Sequence, residues 1–221
     1  KGKEKKRISK STKATPDALD PKINPQKKVE IEYLNYIIDG SNSMTTLIKD
    51  LLIYSKVSTD TYNFKPVILD DLIEQQKVAF RFEIEQNKLI IENKGLGTIL
   101  GSENALKTVF QNLISNAVKY QPLDKENHIP KIIIEHKTEK QFHHISFSDN
   151  GIGIGTENLP YLFEPFRRFH TVSSYEGTGL GMSICQKILE KHQGNISVCS
   201  TNENGTCFLI SIPITLCPNS M

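Results

Sequence analysis

Three short stretches hold residue types and spacings that suit nucleotide chemistry. The first is Asn112, Asn116 and Lys119, at i, i+4 and i+7, which fall on one stripe of a helix. Asn is a poor helix-interior residue because its carboxamide competes for backbone hydrogen bonds. Two of them stacked one turn apart beside a Lys suit a site that needs neutral oxygen ligands and a cation near phosphates. A magnesium ion fits such a site, since it keeps waters and phosphate oxygens and asks the protein for one or two oxygens. Taken alone, the stripe also reads as a solvated helix face. The second stretch is Asp149-Asn150-Gly151-Ile152-Gly153. A carboxylate at a strand end can accept a hydrogen bond from an exocyclic amine, and the two glycines let backbone approach a ligand closely. A strand-ending Asp-Asn-Gly turn is the plain alternative. The third is Gly177-Thr178-Gly179-Leu180-Gly181, just before a helical pattern. Glycines leading into a helix N-terminus offer free N–H groups and a favourable dipole to an anion. The spacing matches neither the dinucleotide fingerprint, which would need Gly at Met182, nor a Walker A loop, which would need Gly-Lys-Ser/Thr.

The elements that must position these groups can be read from periodicity. Leu106, Val109, Phe110, Leu113, Ile114, Ala117 and Val118 form one apolar stripe, so a helix runs from an N-cap at Ser102 to about Tyr120, ended by Pro122. Residues 144–148 alternate as a strand leading into Asp149. Gly181–His192 reads as a helix, with Lys191 and His192 in its last turn as cationic complements to the dipole and Gly194 as its stop. Short strands are expected at 64–69, 88–92, 131–136 and 141–148, a helix at 70–86, and a hairpin of 195–200 with 206–213. The result is an α+β class of about five strands, mainly antiparallel, with about three helices on one face. Upstream, a long helix is expected over 29–57. It has one apolar seam of Ile31, Leu34, Ile38, Ile48 and Leu52 and a second of Tyr33, Ile37, Met44, Leu47, Leu51 and Tyr54. Two adjacent seams suit a bundle helix with more than one partner.

Length and composition bound the rest. With 221 residues, 38% hydrophobic and 24% charged, the chain has material for one or two globular domains and is no disordered or collagenous polymer. No run approaches the ~18 apolar residues of a membrane span. A net charge of +2 does not by itself point to nucleic acid. Residues 1–16 carry seven basic side chains and one acid, Glu4, and read as a solvated terminus; no apolar segment follows that would make them a signal peptide. The first residue is Lys, as in a fragment of a longer protein. Cys185, Cys199, Cys207 and Cys217 contain no C-x-x-C pair, so zinc is not expected. Cys199 and Cys207 can face each other across the hairpin, but reduced thiols are expected in a reducing cytoplasm.

Between the second and third stretches lies Leu162-Phe163-Glu164-Pro165-Phe166-Arg167-Arg168-Phe169. With it, the ordered series Asn112–Tyr120, Asp149–Gly153, Phe163–Phe166 and Gly177–Gly181 resembles the N, G1, F and G2 boxes of the catalytic, ATP-binding domain of sensor histidine kinases. These belong to the Bergerat-fold ATPases, which also include DNA gyrase B, the mismatch-repair MutL proteins and a heat-shock chaperone. The similarity covers about residues 62–214. The wording Arg167-Arg168-Phe169-His170 and Tyr175-Glu176-Gly177-Thr178-Gly179 is particularly similar to phytochrome-like histidine kinases.

The resemblance implies a Bergerat-type two-layer α/β sandwich preceded by a long bundle helix. It divides the chain into a basic, partly disordered segment with a loop (1–28), a second bundle helix (29–60) and a catalytic ATP-binding domain (61–216). It implies ATP and Mg2+ as cofactors. Asn116 with Asn112 would hold the metal, Lys119 would contact phosphate and Tyr120 would pack near the adenine. Asp149 would receive the adenine amine, with Gly151 and Gly153 shaping the pocket. Residues 167–180 would form the lid; Phe166 belongs to the F box, and Arg167 or Arg168 would reach the γ-phosphate. Gly177, Thr178, Gly179, Leu180 and Gly181 would hinge the lid and seat the phosphates. The implied partners are a response-regulator receiver domain and a second copy of the parent protein joined through the bundle. No nucleic acid is implied, the location is cytoplasmic, and any membrane attachment belongs to sequence upstream. Residues 1–28 contain no His; the six are His128, His136, His143, His144, His170 and His192, and none suits a bundle phosphoacceptor. The reaction is therefore expected to use an acceptor outside this chain; the alternative is a non-catalytic ATP-binding or regulator-docking module. A hydrolase of the gyrase or chaperone branch is disfavoured, because its N-box carboxylate base is replaced here by Asn112.

Overall fold

The computed structural model describes residues 25–86, 88–122, 128–169 and 177–215. The chain divides into two compact units, Lys1–Ile48 and Lys49–Met221. In the first, the described residues are helical and belong to α1 (Pro25–Thr59), which begins at Pro25 rather than Val29. Proline suits a first helical turn, where its missing N–H has no intrahelical partner. Tyr33, Leu34, Ile37, Ile38, Met44 and Ile48 are all exposed along it, so both apolar seams lie open over this stretch.

The second unit carries a five-stranded sheet in the order β2-β4-β5-β7-β6 and a two-stranded ribbon of β1 and β3. The strands are β1 (Lys65–Ile68), β2 (Ile90–Asn93), β3 (Thr98–Gly101), β4 (Lys131–Glu139), β5 (Phe142–Asp149), β6 (Asn195–Asn202) and β7 (Gly205–Pro213). β2 pairs with β4 in parallel; every other pair is antiparallel. Alternate residues of the central strands, such as Ile132, Ile134, Ile145, Phe147, Ile210 and Ile212, are buried. Against them pack α2 (Leu69–Ala79), α4 (Glu103–Lys119) and α5 (Gly181–Lys191), which complete one core cluster. This is the expected two-layer α+β sandwich. The apolar stripe of α4 is buried as its spacing predicts, with Phe110 meeting Phe147 edge to face at 4.9 Å between ring centroids.

Four local readings differ from the structure. The helix expected over 70–86 is two, α2 and α3 (Arg81–Gln86), separated at Phe80, whose ψ of 22° leaves the helical range. No Gly or Pro marks that break. β3 is a strand that periodicity does not announce; it is four residues long and exists by pairing with β1. Ser102 occupies the N-cap position of α4, but its side chain caps nothing; instead its backbone N–H donates to His192 Nε2 at 3.0 Å. The helix stop after α5 is shared by two residues. Gln193 takes the left-handed conformation (φ 54°) and donates to Glu190 O, while Gly194 donates to Leu189 O at 2.8 Å. Gly194 is glycine for space, since a Cβ there would meet the Ser211 carbonyl.

Candidate functional site

α4 meets the start of α5 through its polar stripe. Asn112 Nδ2 donates to the Gly181 carbonyl at 3.4 Å, and Asn116 Nδ2 reaches Met182 Sδ at 3.2 Å. One turn on, Lys119 Nζ donates to the Tyr120 hydroxyl at 2.8 Å and sits 4.3 Å from that ring's centroid. A Cβ on Gly177 would stand 2.6 Å from Lys119 Nζ, so this ammonium lies against the glycine-rich segment. All three side chains are half-buried, beside the buried stripe and not on a solvated face.

The C-terminus of α4 also meets the loop after β5. Ile152 N–H donates to the Tyr120 carbonyl at 3.0 Å, and a side chain on Gly151 would collide with that same carbonyl. Asp149 ends β5, where its Oδ1 accepts from Gly151 N–H at 2.8 Å and Thr206 N–H at 3.3 Å. Burial pushes its carboxyl above the ordinary carboxylate range, and those two N–H groups act against that rise. Gly153 has φ 74° and lies on the Asn202 carbonyl. Ile154 N–H donates to Thr201 Oγ1 at 2.8 Å. The β6–β7 turn thus buttresses the Asp149 loop, a contact that nothing in the local sequence of residues 149–153 announces.

The aromatic box closes on the glycine-rich segment. Phe166 N–H donates to the Gly179 carbonyl at 3.0 Å, with positive φ at both Phe166 (64°) and Gly179 (76°). A Cβ on Gly179 would stand 2.8 Å from the Arg167 carbonyl oxygen and the Phe166 carbonyl carbon. Arg167 and Arg168 are exposed, and the Arg167 guanidinium lies 4.7 Å over the Tyr161 ring. Thr178 Oγ1 accepts from Leu180 N–H at 3.3 Å and donates to Asp50 Oδ2 at 2.5 Å. Asp50 is a neighbour of the site that the sequence motifs do not include. Leu180 is fully buried and anchors the start of α5. His170, Tyr175 and Glu176 lie outside the described residues, as does Cys217.

All four sequence boxes therefore touch: the Asn-Asn-Lys stripe meets the second glycine-bearing loop, Tyr120 at the end of the same box meets the first, and the aromatic box meets the second. What they bring together is a helix start with its backbone N–H groups, two carboxamides, an ammonium and a half-buried carboxylate. That donor set fits an anionic ligand carrying a base with an exocyclic amine.

Two other expectations need correction. His192 is not a cationic complement to the α5 dipole. It is completely buried, with Nδ1 2.7 Å from the Ile188 carbonyl, and burial holds its pKa below the usual value. Cys199 and Cys207 are not free thiols; they are joined in a disulfide across β6 and β7.

Comparison with known proteins agrees with this geometry. A sequence profile described as histidine kinase-, DNA gyrase B-, and HSP90-like ATPase matches residues 101–216. The phytochrome-like protein Cph1 of Synechocystis sp. is 34% identical over 183 residues, covering 83% of this chain and 24% of Cph1. The phosphate regulon sensor protein PhoR of Pseudomonas aeruginosa is 32% identical over 192 residues, covering 84% of this chain and 42% of PhoR. The chain thus spans about a quarter of the length of Cph1 and under half that of PhoR. Among solved structures, histidine kinase ThkA in complex with response regulator protein TrrA superposes with a TM-score of 0.63 at 27% identity, covering 89% of this chain and 53% of ThkA. Histidine kinase AdeS of Acinetobacter baumannii, at 24% identity and TM-score 0.63 over 90% of this chain and 88% of that one, shares the fold. The matched profile spans α4, β5 and α5, the elements that carry or lead into the Asn-Asn-Lys stripe and the two glycine-bearing loops. The chain belongs to the histidine kinase-, DNA gyrase B- and HSP90-like ATPase family, and it carries an ATP-binding catalytic domain of the histidine kinase kind.

Proposed function

We propose that this chain is the catalytic region of a cytoplasmic two-component sensor histidine kinase. It would transfer the γ-phosphoryl group of ATP to a histidine on a dimerisation bundle, and the phosphoryl group would pass on to a response-regulator receiver domain. The observation that carries the reading is the meeting of all four boxes through Asn112–Gly181, Asn116–Met182, Tyr120–Ile152 and Phe166–Gly179. Asp149 accepts from the adenine amine, and Gly151 and Gly153 leave room for the ring. Tyr120 flanks the base. Asn112 and Asn116 offer carboxamide oxygens to Mg2+, which neutralises phosphate charge when bound. Lys119 contributes a second cation. Gly177, Thr178, Gly179, Leu180 and Gly181 seat the phosphates on backbone N–H groups. Phe166, with Arg167 and Arg168, belongs to the flap over them. No covalent enzyme intermediate is needed in this domain, because the chemistry is positioning and charge neutralisation of the transferring group.

The exposed seams of α1 support its reading as the second helix of a bundle, with residues 29–60 serving dimerisation and 61–216 catalysis. No His lies on α1. His192 is buried and the His136 and His143 rings bond each other at 3.0 Å; on this reading the acceptor belongs to another segment. The same lack of His on α1 favours a second reading, an ATP-binding or regulator-docking module without transfer.

Thermal unfolding with and without Mg-ATP tests the pocket. A hundredfold excess over Kd stabilises by about 2.7 kcal/mol, a rise in midpoint of roughly 5–10 °C for a chain this size. Asn116→Asp and Asp149→Asn should each abolish most of that rise. An unmoved wild-type midpoint at saturating nucleotide overturns the reading.

A further inference from the structure

The β6–β7 ladder contains one irregularity. Val198 pairs with Phe208 and Ser200 with Cys207, so β6 carries one extra residue there. A bulge sets two residues opposite one and turns both toward the same side. Continuing the register from Val198 and Phe208 sets Cys199 directly across from Cys207 on the same face, and the bulge falls at Ser200, which shares Cys207 as its partner. The two lie within 5.6 Å between Cα atoms, and their sulfurs are bonded. Cys199 is exposed and Cys207 half-buried, so small reagents can reach the pair. Cys185 differs: it is fully buried, and burial pushes its thiol up to about 12.

The position of this crosslink matters more than its presence. Cys207 is paired on its other side with Ser148, the residue before Asp149. The next residue, Thr206, donates its backbone N–H to Asp149 Oδ1 at 3.3 Å, and its hydroxyl lies 3.3 Å from that of Thr201. Thr201 in turn accepts from Ile154 N–H at 2.8 Å. Gly205 lies against the Asp149 carbonyl with no space for a side chain. The disulfide thus closes the base of the turn that holds Asp149 and the loop after it.

We propose that Cys199 and Cys207 form a redox-responsive pair whose oxidation tightens the adenine side of the nucleotide pocket. The coupling rests on the proposed role of Asp149; the pair itself does not. A disulfide of the glutathione class supplies the oxidant. The Cys199 thiolate attacks one of its sulfurs and expels a glutathione thiolate. The Cys207 thiolate then displaces the second. Two protein thiols lose two protons and two electrons, and one glutathione disulfide becomes two thiols. Closing the strand pair restricts the turn, so Thr206 N–H stays aimed at Asp149 and less ordering remains for nucleotide binding.

The test equilibrates the full chain in oxidised and in reduced glutathione buffers, maps crosslinked peptides by mass spectrometry, and measures Mg-ATP affinity by calorimetry in each. The expected outcome is a Cys199–Cys207 peptide about 2 Da lighter than its reduced sum. With it, binding should be about threefold or more tighter in the oxidised state. Cys199→Ser, an exposed position, should hold the reduced affinity in both buffers. No crosslink at any glutathione ratio overturns the pair. A crosslink with equal affinities overturns the coupling. Absence of binding in both states overturns the pocket reading and the coupling with it, while the crosslink map still decides on the pair.

Discussion

The two ends of the proposed nucleotide pocket are built by different means. On the Asp149 side the contacts are backbone on backbone: Gly151 on the Tyr120 carbonyl, Gly153 on the Asn202 carbonyl and Gly205 on the Asp149 carbonyl, none with space for a Cβ. On the side of α5's N-terminus they are mostly the far ends of side chains: the Asn112 carboxamide near Gly181, the Lys119 ammonium at Gly177 and the Asp50 carboxylate on Thr178. The Phe166–Gly179 backbone bond is the exception. Backbone packing holds a group in one place, whereas side-chain ends can withdraw at little cost. A flat base with a fixed amine suits the first wall. A triphosphate, whose charges must be gathered as it enters and released as a phosphoryl group leaves, suits the second.

Alanine at one glycine of each wall should separate these behaviours most strongly. At Gly153 the positive φ of 74° alone costs a residue with a Cβ roughly 1–2 kcal/mol, and the added methyl meets the Asn202 carbonyl. Gly153→Ala should therefore lower unfolding stability by more than ~2 kcal/mol in urea titration. At Gly181 the nearest atom to a new Cβ is Asn112 Oδ1 at 3.3 Å, the end of a side chain. Gly181→Ala should leave stability within ~1 kcal/mol of wild type while weakening Mg-ATP binding. Equal stability losses at the two positions would erase the distinction between the walls.

One wall is more legible in the sequence than the other, and the reason is physical. Asp149, Gly151 and Gly153 are adjacent in the chain, so a strand-end carboxylate with two glycines is readable from spacing alone. So are the α4 stripe and its Asn-Asn-Lys neighbour, because helical periodicity fixes which residues share a face. Side-chain partners distant in sequence leave no such trace. Asp50 and Thr178 are 128 positions apart, and no local rule pairs them. Likewise His192 has the sequence position of a cationic helix end, but the Ser102 N–H, 90 residues away, makes it an acceptor. The Cys199–Cys207 approach is visible as a hairpin, yet the register that sets the two opposite each other, and the bulge beside them, depend on the ladder with β7.

His192 gives a second, smaller test, at the end of α5 opposite the helix start that forms the second wall. Its Nδ1 donates to Ile188 O and its Nε2 accepts from Ser102 N–H, which defines a neutral ring. Burial depresses its pKa below 6.5, and the Ile188 bond opposes this in part. A depressed folded value means that the stability it contributes is present above about pH 6.5 and is lost as pH falls through the folded value. His143, depressed by burial and by His136, acts in the same direction. Urea midpoints should thus drop between pH 7 and pH 5, and His192→Gln should flatten part of that drop. A variant that reproduces the wild-type pH profile would show that His192 does not titrate on unfolding.

The smallest expected effect concerns Asp50, and it probes the movable wall directly. Its carboxylate accepts from Thr178 Oγ1, whose oxygen also takes the Leu180 N–H at the start of α5. A negative charge held against the segment proposed to seat phosphates would oppose their arrival. On the proposed site, nucleotide and Asp50 would therefore compete for the Thr178 region. Removing the charge while keeping the shape, as in Asp50→Asn, should strengthen Mg-ATP binding about two- to fivefold, the scale of a half-exposed charge interaction. Because screening weakens such interactions, the gain should shrink between ~0.05 M and ~0.5 M salt. A salt-independent gain would point to a change of shape at Thr178 in place of charge, and a loss of affinity would mean that Asp50 supports the phosphate wall and does not oppose its ligand.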